Sequence, residues 1–145
     1  MILYAESSAV LSWLFNDTFG KAVSQTLAKA RIVLTSRLTI TECQRVLIRA
    51  KQQSVLNEIS FNSALNSLMH ASATWSVMDI TNAIHERVGK EFPQEPVRCL
   101  DAIHLATLLE WSKLIPEELC VLSCDHRIRE NVRRFKMPLC PESIL

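Results

Sequence analysis

Glycine is nearly missing from this chain: two residues in 145. Two glycines far apart exclude a Gly-rich phosphate cradle, and with only five prolines they argue against a disordered chain. No low-complexity tract or internal repeat is present. An excess of one charge is lacking as well. The formal net charge is +1, so the molecule as a whole is no polycation that attracts nucleic acid in bulk. No apolar run approaches the roughly 20 residues of a membrane span, and Glu6 interrupts the first apolar stretch, which has no positive leader. The expectation is a cytoplasmic protein with no membrane partner. The five cysteines, at 43, 99, 120, 124 and 140, are odd in number and show no C-x-x-C spacing. Buried free thiols in a reducing compartment fit this better than disulfides or zinc. Neither a G-x-S-x-G nucleophile nor an H-E-x-x-H zinc pair occurs.

What the chain does have is core material, with 48% hydrophobic residues. A chain this long buries roughly two thirds of the surface it exposes when unfolded, and residues 1–145 read as a single domain. The runs 2–5, 32–34, 76–80 and 120–123 read as short apolar strands, with 138–140 as a brief last one. Helical spacing fills the intervals: from a cap at Ser7 or Ser8 to Phe15, about 18–30, 39–52, 55–73, from the Thr81 cap to about Lys90, 100–114 and 126–135. Pro93 and Pro96 mark a loop, and Pro116 ends a helix. This alternation implies parallel β-α-β units with helices on both faces of the sheet. Ligands of such sheets bind at the carboxyl ends of the strands.

That edge collects acids. Glu6 follows the first strand and Asp125 follows the fourth; Glu42 and Asp101 stand in the first turns of helices that begin there. Each has an ordinary explanation. Glu42 is at capping-box distance from Thr39, Asp101 suits a helix N-terminus, Asp125 can cap the helix after it, and Glu6 can form a surface ion pair. Together they suggest more. Packed carboxylates repel one another, and a divalent cation relieves the repulsion; oxygen ligands suit Mg²⁺ or Mn²⁺. Such an ion activates water and stabilises charge on a phosphoryl oxygen. Between His126 and Lys136 stand four arginines and one lysine against the single acid Glu130, a basic helix beside the acidic edge. It is either a solvated face or a phosphate-facing one. The pairing of acidic pocket and basic helix suits phosphodiester hydrolysis.

Four stretches resemble the PIN-domain family, particularly its VapC-like toxins. They are Leu3-Tyr4-Ala5-Glu6-Ser7-Ser8-Ala9-Val10, Leu38-Thr39-Ile40-Thr41-Glu42 with Arg45, Arg98-Cys99-Leu100-Asp101-Ala102-Ile103-His104-Leu105-Ala106-Thr107, and Val121-Leu122-Ser123-Cys124-Asp125-His126-Arg127. The third is the most specific. The resemblance implies a three-layer α/β/α sandwich around a mostly parallel sheet of four to five strands. It also implies Mg²⁺- or Mn²⁺-dependent endonuclease activity on RNA, with Glu6, Glu42, Asp101 and Asp125 as catalytic and metal-binding acids. Ser8 and Ser123 then support the acids, and a homodimer silenced by a cognate antitoxin is expected. The family's first acid is most often Asp; Glu6 is one methylene longer.

Arg98 and Arg127 lie near the acids and can meet RNA phosphates, although Arg98 can instead pair with an acid. His104, one helical turn from Asp101, reads as a hydrogen-bonded core histidine rather than a ligand. His126 reads as surface, and Trp13, Trp75 and Trp111 as core or dimer contacts rather than base-stacking platforms. Two other functions compete with a ribonuclease that cuts single-stranded or loop RNA. One is a PIN scaffold that binds RNA or protein without cutting, favoured by Glu6. The other is a receiver-like signalling domain, which wants a lysine after a late strand, whereas Lys136 follows the basic helix.

Overall fold

The computed structural model describes residues 1–144. In chain order its elements are β1 (Ile2–Ala5), α1 (Ser7–Phe15), α2 (Gly20–Lys29), β2 (Ile32–Ser36), α3 (Arg37–Gln52), α4 (Glu58–Ser72), β3 (Ser76–Met78), α5 (Asn82–Val88), α6 (Cys99–Leu114), β4 (Leu119–Leu122), α7 (His126–Arg134) and β5 (Leu139–Cys140). The strands form one sheet in the order β3-β2-β1-β4-β5, and every pairing is parallel.

Successive side chains of β1 point to opposite faces of the sheet. Ile2 and Tyr4 enter a core with α5, α6 and α7, whereas Leu3 and Ala5 meet α1 to α4. All four are buried, which is why this strand is apolar without alternation. Leu3 and Leu122 are both fully buried, each contributing about 1.5–3 kcal/mol by leaving water. The three-layer α/β/α sandwich anticipated above is therefore the fold, with five strands, all parallel.

Local chemistry moves several boundaries. The Ser36 side chain accepts from the Leu38 amide at 3.0 Å, so α3 begins at Arg37 rather than Thr39. Asn57 and Ser60 form a reciprocal capping box, which delays α4 to Glu58. Strand β3 stops at Met78 because its partner β2 ends at Ser36, leaving Asp79 exposed and paired with Arg37. Gly20, where α2 starts against α1, leaves no room for a side chain: a Cβ there would sit 2.7 Å from the Ser12 carbonyl oxygen.

From β1 the chain winds outward through β2 and β3, then returns to place β4 on the other side of β1. Crossovers thus reverse direction between β1 and β4, and a crevice opens where they do. Glu6 and Asp125 leave the sheet at that point.

Candidate acidic site

The Glu6 amide donates to the Leu122 carbonyl at 3.0 Å, which ties the end of β1 to β4. The chain then turns into α1, and Glu6 itself is the N-cap, accepting from the Ser8 amide at 3.0 Å. The cap expected at Ser7 or Ser8 is thus displaced by one residue, because the longer carboxylate reaches back over the first turn. Both serines instead donate their hydroxyls to it. Ser7 Oγ lies 2.8 Å from Oε1, while Ser8 Oγ and Ser123 Oγ (the latter at 2.7 Å) meet Oε2. A carboxylate has about four acceptor positions, and here four donors surround them. Glu6 is 3% exposed, so it is not a surface ion-pair residue.

Glu42 stands in the second turn of α3 and belongs to no capping box. The cap is Ser36, and the Thr39 hydroxyl is buried without a hydrogen-bond partner among the described residues. Oε1 of Glu42 lies 2.5 Å from His104 Nε2 and 2.9 Å from Ser7 Oγ. The Ser7 hydroxyl, also 3.1 Å from His104 Nε2, therefore has three neighbours and one proton to share among them. Burial works against the charge on Glu42, but the His104 hydrogen bond, the charge on His104 and the Ser7 hydroxyl together hold its pKa below the ordinary 4.5. Burial likewise opposes a charged His104. The hydrogen bond to Glu42 and the charges of Glu6, Glu42 and Asp101 outweigh that and lift its pKa above 6.5. The two directions agree on an ion pair. His104 Nδ1 is buried without a partner among the described residues, so the ring is held through Nε2 alone.

Asp101 lies in the first turn of α6, with its side chain 13% exposed, and accepts from Arg98 Nε at 3.2 Å. Arg98 thus pairs with an acid while its side chain stays largely exposed. Asp125 caps α7, one oxygen accepting from the amides of Arg127 (2.8 Å) and Ile128 (3.0 Å). Its own amide donates to Ser123 Oγ at 3.2 Å, and Ser123 thus touches Glu6 and Asp125 at once. Ser8 Oγ also accepts from the Cys124 amide at 2.9 Å.

Glu42, Arg98, Cys99, Leu100 and Asp101 line a cleft of about 340 Å³. Glu6 and Asp125 stand outside that lining. Among the described residues no three His, Cys, Asp or Glu side chains form a group that could hold a metal ion. The four acids gather at one edge of the sheet, yet only two share an open cleft. Arg127 is exposed and lines a smaller cleft of about 210 Å³ with Gln94, Glu95, Pro96 and Glu130.

The basic helix is less basic at its surface than its sequence. Arg129 is fully buried, and Arg133 is paired with Glu130. Trp13 and Trp75 pack on the core under α1 to α4, and Trp111 on the other, donating Nε1–H to the Thr35 carbonyl at 3.0 Å. His126 is exposed. All five cysteines are free, although only Cys43 is fully buried and Cys99 is exposed. No described helix is long and apolar enough to cross a membrane. The spacing predicts His104 in a hydrogen-bonded core but does not give its partner, Glu42, and it offers Ser7 only as a cap. The signal available was the helical turn between Asp101 and His104, which also turns His104 toward the end of β1.

No curated protein matches the chain by sequence. Solved structures share its fold at low identity. VapBC2 from Rickettsia felis, bound to a DNA fragment from its promoter, aligns with a TM-score of 0.64 and 11% identity over 96% of this chain and 97% of that one. VapC20 from Mycobacterium tuberculosis, a toxin that cleaves the sarcin–ricin loop, aligns at 0.63 and 14% over 88% and 93%. FitAcB from Neisseria gonorrhoeae aligns at 0.63 and 16% over 96% of each chain. The family model of the PIN domain matches residues 3–132, which takes in the switch point and all four acids. The chain belongs to the PIN domain family.

Proposed function

We propose that the chain, as one PIN-type domain over residues 1–145, is a metal-dependent endoribonuclease that hydrolyses RNA phosphodiester bonds. We assign it the toxin role in a cytoplasmic toxin–antitoxin pair. One observation carries the reading: Glu42 and Asp101, from two different helices, share an open cleft with Arg98 in a chain of this family. PIN domains are generally nucleases, and the solved structures above that share this fold include a toxin that cleaves the sarcin–ricin loop.

Two carboxylates fit a hard divalent ion. Mg²⁺ keeps several waters and is commonly bound through one or two carboxylates plus substrate phosphate oxygens, and Mn²⁺ accepts the same donors. Glu42 and Asp101 would hold it, and Asp125 has one oxygen uncommitted by the α7 cap. When bound, the ion lowers the pKa of a water and stabilises charge on the scissile phosphate. Glu6 serves the site differently: saturated by hydroxyls, it fixes Ser8 and Ser123, and through Ser123 the Asp125 amide. Arg98 at the cleft and the exposed Arg127 supply positive charge for RNA phosphates. The active form is a homodimer, and the partner that silences it is a cognate antitoxin.

Purified protein should cleave a structured RNA with Mg²⁺ or Mn²⁺ and stop in EDTA. Cleavage that survives rigorous chelation removes this mechanism. A second reading, an RNA- or protein-binding PIN scaffold that does not cut, is favoured by the saturated Glu6 and by the small ligand group at the cleft. RNA binding without Mn²⁺ uptake or cleavage would select it.

A further inference from the structure

Arg129 is the largest fully buried side chain of the protein, and no carboxylate pairs with it among the described residues. A buried cation without a counter-charge is costly unless its protons are spent on good acceptors. Here the two terminal nitrogens spend theirs on carbonyl oxygens, whereas Nε is buried without a partner among the described residues. Nη1 donates to Ser123 at 2.9 Å and more weakly to Cys140 at 3.4 Å, and Nη2 donates to Glu142 at 3.1 Å. The Ser123 amide in turn donates to the Cys140 carbonyl at 3.1 Å. One guanidinium thus joins α7, the residue that follows β4, and the segment after β5. Two of the three carbonyls, at 140 and 142, lie beyond residue 132, where the family match stops.

Ser123 is also where the acidic site is fastened. Its hydroxyl donates to Glu6 and accepts from the Asp125 amide, while Ser8, bonded to Glu6, accepts from the Cys124 amide. Fixing the Ser123 carbonyl fixes the peptide plane it shares with the Cys124 amide, and with it the two flanking Cα atoms, one bearing the Ser123 hydroxyl and the other leading to the Asp125 amide. We propose that Arg129 is a positioning residue for the acidic site, clamping Ser123 to the segment 140–142 so that Glu6 and Asp125 keep their places. The C-terminal strand is thereby part of the site's framework. The link to catalysis rests on the ribonuclease reading; the link to site geometry does not.

Arg129→Lys in the full chain keeps a cation but cannot serve three carbonyls. Amide hydrogen exchange is measured in the variant and in the wild type. The Ser8, Cys124 and Asp125 amides should exchange at least tenfold faster, with Leu3 and Tyr4 in β1 changed less than twofold. Uniform acceleration, or none at the three site amides, overturns the proposal. If Arg129→Lys does not fold, Arg129→Met, which fills the buried space without a charge, takes its place: exchange at Cys124 and Asp125 must rise in it, and unchanged rates overturn the proposal equally. In RNA cleavage, Arg129→Lys should lower kcat at least tenfold with KM within twofold. That loss should shrink to under twofold when Ser123→Ala is already present; additive losses mean that Arg129 does not act through Ser123. A wild-type protein that cleaves no RNA refutes the ribonuclease reading, and the exchange pattern then decides the positioning role by itself.

Discussion

Glu6→Gln separates two kinds of acidic site by the sign of its effect. If Glu6 is a carboxylate awaiting a cation, it repels its neighbours in the metal-free protein, and removing its charge stabilises that state. If it is instead the acceptor at the centre of a hydroxyl cage, removing its charge destabilises it. The geometry gives a magnitude. Oε1 receives the Ser8 backbone amide, which cannot rotate, so the amide oxygen of glutamine must stay there. The NH₂ then replaces Oε2 and faces the hydroxyls of Ser8 and Ser123, both of which now donate. Both hydroxyls must turn, although each already accepts a backbone amide, from Cys124 and Asp125 respectively. On the Oε2 side alone, two charge-assisted bonds of about 1.5–3 kcal/mol each become neutral ones of about 1 kcal/mol, so the loss is at least roughly 1–4 kcal/mol. At this chain length that lowers Tm by about 3–12 °C. Urea unfolding and thermal scans in EDTA measure it directly. A Glu6→Gln protein as stable as the wild type, or more stable, without metal refutes the cage account and returns Glu6 to the ligand set.

Asp101→Asn should lower the rate of RNA cleavage at least tenfold, which is about 1.4 kcal/mol of lost transition-state stabilisation. Its stability should change by less than about 1 kcal/mol, since Arg98 is largely exposed; an unchanged rate in the folded variant leaves Asp101 a helix-terminus residue only. The His104–Glu42 pair predicts a stability plateau in metal-free protein between about pH 4.5 and 6.5. Glu42 has its pKa lowered on folding, so its contribution is complete above 4.5 and fades as pH falls through the lower folded value. His104 has its pKa raised, so its contribution is complete below 6.5 and fades as pH rises through the higher folded value. Urea midpoints across pH 3–9 should trace this shape, and His104→Gln should flatten the alkaline side; a plateau unchanged by that variant refutes the pair. Gly20→Ala should destabilise by about 1–3 kcal/mol by forcing α1 and α2 apart, and a neutral urea midpoint contradicts the close approach at Ser12.

The fold was legible because its strands and helices announce themselves at different periods. Ile2–Ala5 and the apolar run read at 120–123 mark parallel strands buried on both faces, although β4 itself is Leu119–Leu122 and leaves Ser123 just beyond it. Boundaries set by single hydrogen bonds were not. Nothing in the period of α3 distinguishes a start at Arg37 from one at Thr39; the Ser36 cap decides it. The carboxyl edge told which acids to watch, since strand order and helix starts fix that much. It could not tell what each acid is bonded to. Arg129 looks in sequence like one more cation on a solvated helix, and only the three carbonyls around it show why it is buried.

Carboxylates gathered at one edge repel one another and call for an offset, which a cation can supply. The structure supplies offsets of its own, a different one for each acid. Glu6 has hydroxyls and an amide, Glu42 has His104, Asp101 has Arg98, and Asp125 has the first amides of α7. These acids differ in how readily they can give up a partner. Arg98 is mostly exposed, so Asp101 would exchange a solvent-screened pair for an ion at little cost. Glu42 would have to weaken a short bond to a buried ring whose other nitrogen has no partner. Glu6 would have to break several bonds at once, inside the core. On the metal-dependent reading proposed above, the acids would engage an ion in the order of what each must release, with Asp101 first and Glu6 last.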